Sequence, residues 1–260
     1  MTAGPWLPML VVAGAYLAMF AVVELLHRDR GLRAGLTRKV DHVLAGGIAL
    51  ALPALFDSPW PVMALAVPFV AFLVATLLMG RLDSVHAVPG ASAGAFLYPM
   101  AVAATFVLAS GDYVRYAIAI LALALGDPTG EIVGTREGRH VYLVWGHVKT
   151  WEGSFAVLLA TSLTTTVILV LAGSSPLAAC QSGIFTGLIV ALVEGALPWG
   201  IDNLGIPLAA LGSLAAGSAA SGGLALLSAA TLLAVAMAAS RSRRWLRRLA
   251  TPGGAASNAP

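Results

Sequence analysis

Long apolar runs recur along almost the whole chain, each about as long as a helix needs to cross the hydrocarbon layer of a bilayer, and charged residues are confined to the gaps between them. The runs lie near residues 6–26, 43–56, 60–80, 91–110, 113–134, 153–172, 180–198, 204–220 and 223–240. In hydrocarbon every backbone N–H and C=O needs an internal partner, so the pattern predicts an all-α, polytopic transmembrane helix bundle of about nine spans. The second run is short, ends near Pro53 and is followed by Asp57, Pro59 and Pro61, which predicts a partial or tilted helix there. Residues 1–250 are expected to form one integral-membrane domain with no room for a separate soluble one. Thr251–Pro260, rich in Gly, Ala, Pro, Ser and Asn, is expected to be a disordered tail.

Composition agrees: 59% of residues are hydrophobic and 10% charged, with a mean hydropathy of +0.89, far from the roughly 25% charged share of a soluble domain. The lone Cys180 excludes an internal disulfide and a Cys-rich metal cage. A net charge of +3 raises the question of nucleic acid, but the basic residues sit between or after apolar runs, where lipid headgroups are the expected neighbours and a nucleic acid polymer is not. The first run is no signal peptide by its pattern: no basic segment precedes it, it is longer than such an apolar core, and the positive charges follow it.

Those charges also orient the chain. With nine alternating spans, Arg28 to Lys39, Arg81, the Arg136 to Lys149 segment and Arg241 to Arg248 all fall on one side, leaving Arg115 alone on the other. The positive-inside rule makes that side cytoplasmic and puts the N-terminus outside. An eight-span count would split the basic segments between the two faces. The segment Arg241-Ser242-Arg243-Arg244-Trp245-Leu246-Arg247-Arg248 reads either as a stop-transfer flank or as a helix lying on anionic lipid.

Acidic residues at span ends are costly unless they line a cavity or bind something charged. Asp127 and Glu131 stand four apart, with Pro128 placed to open a restarted helix that carries both on one face, and such a pair calls for a cation or a shared proton between its members. Hard oxygen ligands of this kind suit Mg²⁺, although a solvated acidic turn would have the same spacing. Glu194 late in an apolar run, and Asp202-Asn203 between Pro198 and Pro207, fall on the same predicted side and could join the same metal site. Asp-Asn between prolines also fits a simple turn. Downstream of Asp127, a loop punctuated by Gly134, Gly138, Gly146 and Gly153 carries Arg136, Arg139, His140, His147, Lys149 and Thr150, a composition that fits polyphosphate but matches neither a P-loop nor a GxGxxG fingerprint. Arg38 and Lys39 read as topology determinants or phosphate contacts. No HExxH or Cys–His pairing occurs, which weakens hydrolase readings.

At these residues the sequence resembles the family of CTP-dependent polyprenol kinases, which includes dolichol kinase, phytol kinase and a CTP-using diacylglycerol kinase. The family's D-x-x-A-x-x-x-G-x-x-x-G followed by K-K-T-x-E-G is matched by Asp127, Gly130, Gly134 and Gly138, then Lys149-Thr150-Trp151-Glu152-Gly153-Ser154. Thr37-Arg38-Lys39 with His42 resembles an Arg-Lys-x-x-His segment, and Asp202-Asn203 with Pro207 resembles an Asp-Asn element. Gly130 stands in place of the usual Ala, and Val148 in place of the first Lys of the pair, for which His147 or Arg139 are candidate substitutes. The resemblance implies a membrane kinase domain transferring a phosphoryl group from CTP, with Mg²⁺, to the hydroxyl of an isoprenoid alcohol of the phytol or polyprenol type at the cytoplasmic interface of an inner or plasma membrane. It implies catalytic roles for Asp127, Lys149 and Glu152, with Asp127 as first choice for general base. CTP contacts are expected from Arg38, Lys39, Gly130, Gly134, Gly138, Arg139, Thr150, Gly153 and Ser154, and metal ligands from Asp127, Glu131, Glu194, Asp202 and Asn203. Two other functions share parts of this pattern: a cytidylyltransferase that joins CMP to a lipid phosphate, and a membrane transporter.

Overall fold

The computed structural model describes residues 4–31, 34–86 and 93–218, so the expected span 223–240, the Arg241–Arg248 segment and the tail lie outside the described residues. Eleven helices and one hairpin are seen among the described residues. Helix α1 (Trp6–Arg30) carries His27, Arg28 and Arg30 in its last turn, where they complement the helix dipole, and stops at Gly31 in the left-handed conformation. It is followed by α2 (Ala34–Leu50), the short α3 (Leu52–Leu55), α4 (Trp60–Leu78), the short α5 (Asp83–His86) and α6 (Gly94–Ala109). Next come α7 (Tyr113–Leu121), capped by the Asp112 carboxylate on the Arg115 N–H, then a π turn at Ala122–Gly126 and α8 (Asp127–Glu137). Strands β1 (Val141–Val144) and β2 (His147–Thr150) lead into α9 (Trp151–Leu171), α10 (Pro176–Ala196) and α11 (Asp202–Ser218).

Five helical segments are long and apolar enough to cross a membrane: α1, α4, the continuous α7–π turn–α8 rod, α9 and α10. Only 17% of the apolar window of α1 is buried among the described residues, against 56% for the α7–α8 rod, so α1 lies at their periphery while the rod runs through the interior. The protein is therefore a helical membrane protein. Three expectations change in detail. The second run begins earlier, at Ala34, so Thr37 to His42 form helical turns and not a loop. The chain does not restart at Pro128: one rod continues through the π turn, whose looser winding receives a proline that has no N–H to donate. The segment 134–153, read as a loop, contains the end of α8 and an antiparallel hairpin pairing Val141 with Thr150 through Val144 with His147. Its two-residue turn, Trp145-Gly146, has positive φ at both positions, the geometry that matches strand twist.

Close backbone approach holds the interior together. Gly126, Gly130 and Gly134 recur every fourth residue and face Thr161, Val157 and Thr150 with Gly153 at the start of α9; a methyl at any of them would overlap those atoms. Gly183 and Gly187 of α10 likewise seat on Ser162 and Thr166 of α9. This is the small-residue packing on which membrane helices depend, because lipid gives them no hydrophobic drive to associate. Helix α2 is pinned differently. Tyr98 of α6 donates to the His42 carbonyl (3.0 Å), Tyr16 of α1 to that of Ala45 (3.1 Å) and Tyr116 of α7 to that of Ala49 (2.9 Å). Thr37 fixes its first turn through the Ser84 carbonyl (2.9 Å).

Gly130→Ala should force Val157 out of place and cost about 1–3 kcal/mol, the range for overpacking. Thermal unfolding in detergent should show a lowered Tm that Val157→Ala in the same chain partly restores; an unchanged Tm would mean that α8 and α9 are not this close.

Candidate functional site

The elements just described converge by their ends on one group of charges. Asp127 opens α8 directly after the π turn, Glu194 lies in the last turn of α10, and Asp202 begins α11. Each offers a carboxylate oxygen within 4.8 Å of the others. Lys149, on the second strand of the hairpin, reaches into this group and donates to Glu194 Oε1 (2.6 Å) and to the Glu194 backbone carbonyl, with Asp202 Oδ2 at 3.7 Å. The exposures of these side chains are low, 17% for Lys149, 13% for Glu194 and 16% for Asp202. Burial alone would lower the lysine pKa, but Glu194 and Asp202 outweigh it and raise the pKa above the ordinary 10.5, so the ammonium stays charged.

A second ion cluster flanks the first. Both oxygens of Glu131 are taken, one by Arg38 (2.8 Å) and one by Lys39 (2.9 Å), so Glu131 orients the two cations and does not join the carboxylate trio. His42 brings Nδ1 to 3.3 Å from Asp127 Oδ2, close enough for charge attraction but off the direction of a hydrogen bond. Its ring packs on Tyr98 with centroids 5.0 Å apart.

The hairpin that delivers Lys149 is anchored at several points. Tyr142 shares a 2.6 Å hydrogen bond with Ser154. Thr150 caps α9 by accepting from the Gly153 N–H (3.1 Å). Glu152 accepts from the His140 backbone N–H and ring Nδ1, the latter at 2.6 Å, and so ties the start of β1 to the start of α9.

A cavity of about 590 Å³ opens over these groups. Arg38, His42, Asp127, Glu131, Lys149, Glu194, Asp202 and Asn203 line one end, together with Gly130, Gly134, Thr150, Gly153 and Ser154. Toward the far end of α2 the lining is hydrocarbon, with Val12, Leu65, Phe69 and Val102 from α1, α4 and α6, and Leu73 of α4 adds to it nearer α5. Of the residues expected at the site, Glu152, Arg139, Lys39 and Gly138 do not line it. Glu152 turns outward to His140, and Gly138 sits against Thr150 and the Gly134 carbonyl. Asn203 lines the wall, but its amide nitrogen is committed to the Gly94 carbonyl (2.8 Å), which fastens α11 to α6. His147 lies at the cavity, edge-on to Trp199 at 5.1 Å, while Arg139 does not, so of the two candidates for the missing lysine only His147 is in place. Sequence reasoning singled out neither Asp41 nor Tyr98, which also line the cavity. The signal for Asp41 was present: Arg38, Asp41, His42 and Ala45 fall on one stripe of a helix, which the loop reading of this segment hid.

The trio fits a hard divalent cation. The oxygen ligands of a six-coordinate Mg²⁺ lie about 3–4 Å apart, and three carboxylates already gathered within 4.8 Å need only a small contraction to meet that.

Over 213 residues the chain is 33% identical to the protein named phytol kinase from Synechocystis sp., an alignment that covers 76% of this chain and 86% of that one. No family model matches the chain, and no solved structure matches it.

Removing one partner from a buried ion pair costs about 3–5 kcal/mol. Lys149→Met should therefore destabilise strongly, and adding Glu194→Gln should return part of the loss in a double-mutant cycle read by unfolding in detergent. Because the lysine pKa is raised in the folded protein, its contribution is complete below pH 10.5 and disappears as pH climbs through the raised value. Wild type should lose stability in that alkaline window and Lys149→Met should not; parallel curves would contradict the ion pair.

Proposed function

The chain belongs to the polyprenol kinase family, and from that premise we propose that it transfers the γ-phosphoryl group of CTP to the hydroxyl of an isoprenoid alcohol of the phytol type, with Mg²⁺, at the cytoplasmic face of the membrane. One observation carries this reading: a single cavity has three carboxylates and a lysine at one end and hydrocarbon at the other. A triphosphate from water and a hydrocarbon alcohol from the bilayer can then meet without either leaving its own phase. The nine-span arrangement with the N-terminus outside belongs to the same proposal, since it gathers the basic segments on the face where CTP is found.

Phosphoryl transfer asks mainly for positioning and charge neutralisation, and these side chains supply both. Asp127, Glu194 and Asp202 would hold Mg²⁺, which when bound neutralises charge on the phosphates. Lys149 presents its ammonium beside them. Arg38, steered by Glu131, extends positive charge along the cavity wall, and Lys39 reinforces it from behind. With all three trio members engaged as ligands, the base role first expected of Asp127 passes to another group. Gly134, Thr150, Gly153 and Ser154 form the floor on which a nucleotide would rest. A transporter is disfavoured because Glu194, Asp202 and Lys149 stand at helix ends and on the hairpin, and only Asp127 lies within a long rod, in place of the paired broken helices of a transport pathway.

Purified protein in lipid vesicles with labelled CTP and a panel of prenols, prenyl phosphates and diacylglycerol should yield CDP and a prenyl phosphate. Pyrophosphate release would instead identify a cytidylyltransferase, and CTP left intact would refute both. Asp127→Asn should lower turnover more than 100-fold while the protein stays folded; wild-type rates from that variant would remove Asp127 from the site.

A further inference from the structure

The polarity of the cavity changes along one helix. Arg38, Asp41, His42 and Ala45 of α2 all line it, at the i, i+3, i+4 and i+7 spacing of a single helical face. At about 1.5 Å of rise per residue, Asp41 stands roughly one turn beyond Arg38 and one turn short of the purely apolar wall. Asp41 is 5% exposed, and neither of its carboxylate oxygens has a hydrogen-bond partner. No cation pairs with it among the described residues. The charge that acts on it is a like one, Glu24 of α1, which is itself held by Arg28 (2.6 Å) and by the Ser84 N–H (3.0 Å). The ordinary structural roles of a buried aspartate, a salt bridge or a helix cap, are therefore not filled here, and a buried carboxylate with two open oxygens is expensive to keep. The tyrosine hydroxyls of the cavity wall offer no relief, since Tyr16 and Tyr98 both donate to backbone carbonyls of α2.

We infer that the hydrocarbon end of the cavity, between α1, α2, α4 and α6, is the acceptor site for a single long-chain primary alcohol, and that Asp41 receives its hydroxyl as hydrogen-bond acceptor and catalytic base. This rests on the kinase reading above. The tail lies along Val12, Leu65, Phe69 and Val102, and the hydroxyl is left at the one point where hydrocarbon gives way to charge. His42, next in the chain, touches Asp127, so the carboxylate that receives the alcohol and the trio that faces the phosphates are connected through adjacent residues of one rigid helix. In the transfer the alcohol O–H proton passes to the Asp41 carboxylate as the alcohol oxygen bonds to the γ-phosphorus. The bond from that phosphorus to the β–γ bridging oxygen breaks, CDP departs with the electron pair, and Asp41 returns its proton to water. An acceptor that is already phosphorylated would bring a second anion against Asp41 and Glu24, so the site selects alcohols over prenyl phosphates.

The test compares wild type, Asp41→Asn and Asp41→Glu in vesicles with phytol and CTP, together with CTP binding by each protein. Asp41→Asn should lower kcat at least 100-fold, within the range for loss of a general base, while the affinity for CTP stays within twofold and Asp41→Glu recovers part of the rate. Turnover by Asp41→Asn within threefold of wild type overturns the assignment. Should that variant lose CTP binding along with turnover, Asp41→Ser, which removes the carboxylate without adding bulk, takes its place under the same criteria. Ala45→Phe, which narrows the apolar end without touching a charge, should raise the KM for phytol tenfold or more and leave the KM for CTP unchanged; the reverse pattern would place the alcohol elsewhere. A wild-type protein that makes no prenyl phosphate from any alcohol fails at the kinase reading itself, which separates that failure from one confined to Asp41.

Discussion

Three carboxylates cannot all stay ionised in a space less than 5 Å across, away from bulk water, unless positive charge stands among them. Lys149 meets that condition in the protein as described, and much of the surrounding architecture follows from putting it there. It comes in on a hairpin because a helix continuing from α8 would carry the chain past the group, whereas two short strands fold back and return Lys149 to the ends of α10 and α11. Tyr142, Thr150 and Glu152 fasten that hairpin to α9. The glycines of α8 then let the rod that carries Asp127 lie directly against the same helix. Electrostatic demand and backbone packing are in this sense one constraint, since a wider spacing between α8 and α9 would pull Asp127 away from Lys149.

The same logic gives the family-like motif a structural meaning that its spacing did not disclose. Gly126, Gly130 and Gly134 repeat at four because a helix presents one face at that interval, and the face they form is occupied by α9. Gly130 in the usual Ala position is matched by Val157, whose side chain fills the space a methyl would have used. Thr150 and Glu152, which look like site residues in the sequence, act first on the backbone, one as a cap and the other as a tie to His140. A signature can therefore mark a site while several of its members act first on the backbone that shapes it.

Much of this was legible beforehand because hydropathy in a membrane protein is a strong signal. The apolar runs located α1, α4, α6, α9 and α10 to within a few residues, and Asp127, Lys149, Glu194 and Asp202 were picked out because charge is rare in such a chain and each instance calls for a reason. What was misread lay where two signals overlapped. Basic residues near Arg38 resembled a topology-setting loop, so the helical stripe that carries Asp41 went unseen. The hairpin was hidden by its charges and glycines, although two β-rich quartets around Trp145-Gly146 carried the signature of a two-residue turn. Glu131 was assigned to a metal because it stands four residues from Asp127, yet its partners, Arg38 and Lys39, are more than ninety positions away in sequence and could not be paired with it from spacing alone.

The tyrosines on α2 carry a consequence of a different kind. Three hydroxyls from three helices hold one stretch of backbone, and that stretch runs from the charged end of the cavity to its hydrocarbon end. The spacing between the two ends is thereby fixed in main chain, while on the proposed reading a hydrocarbon tail would meet only interchangeable aliphatic and aromatic side chains. On that reading, substitutions at positions such as Val12 or Leu65 would let such a protein drift among hydrocarbons of differing length or branching while the charged groups stay as they are.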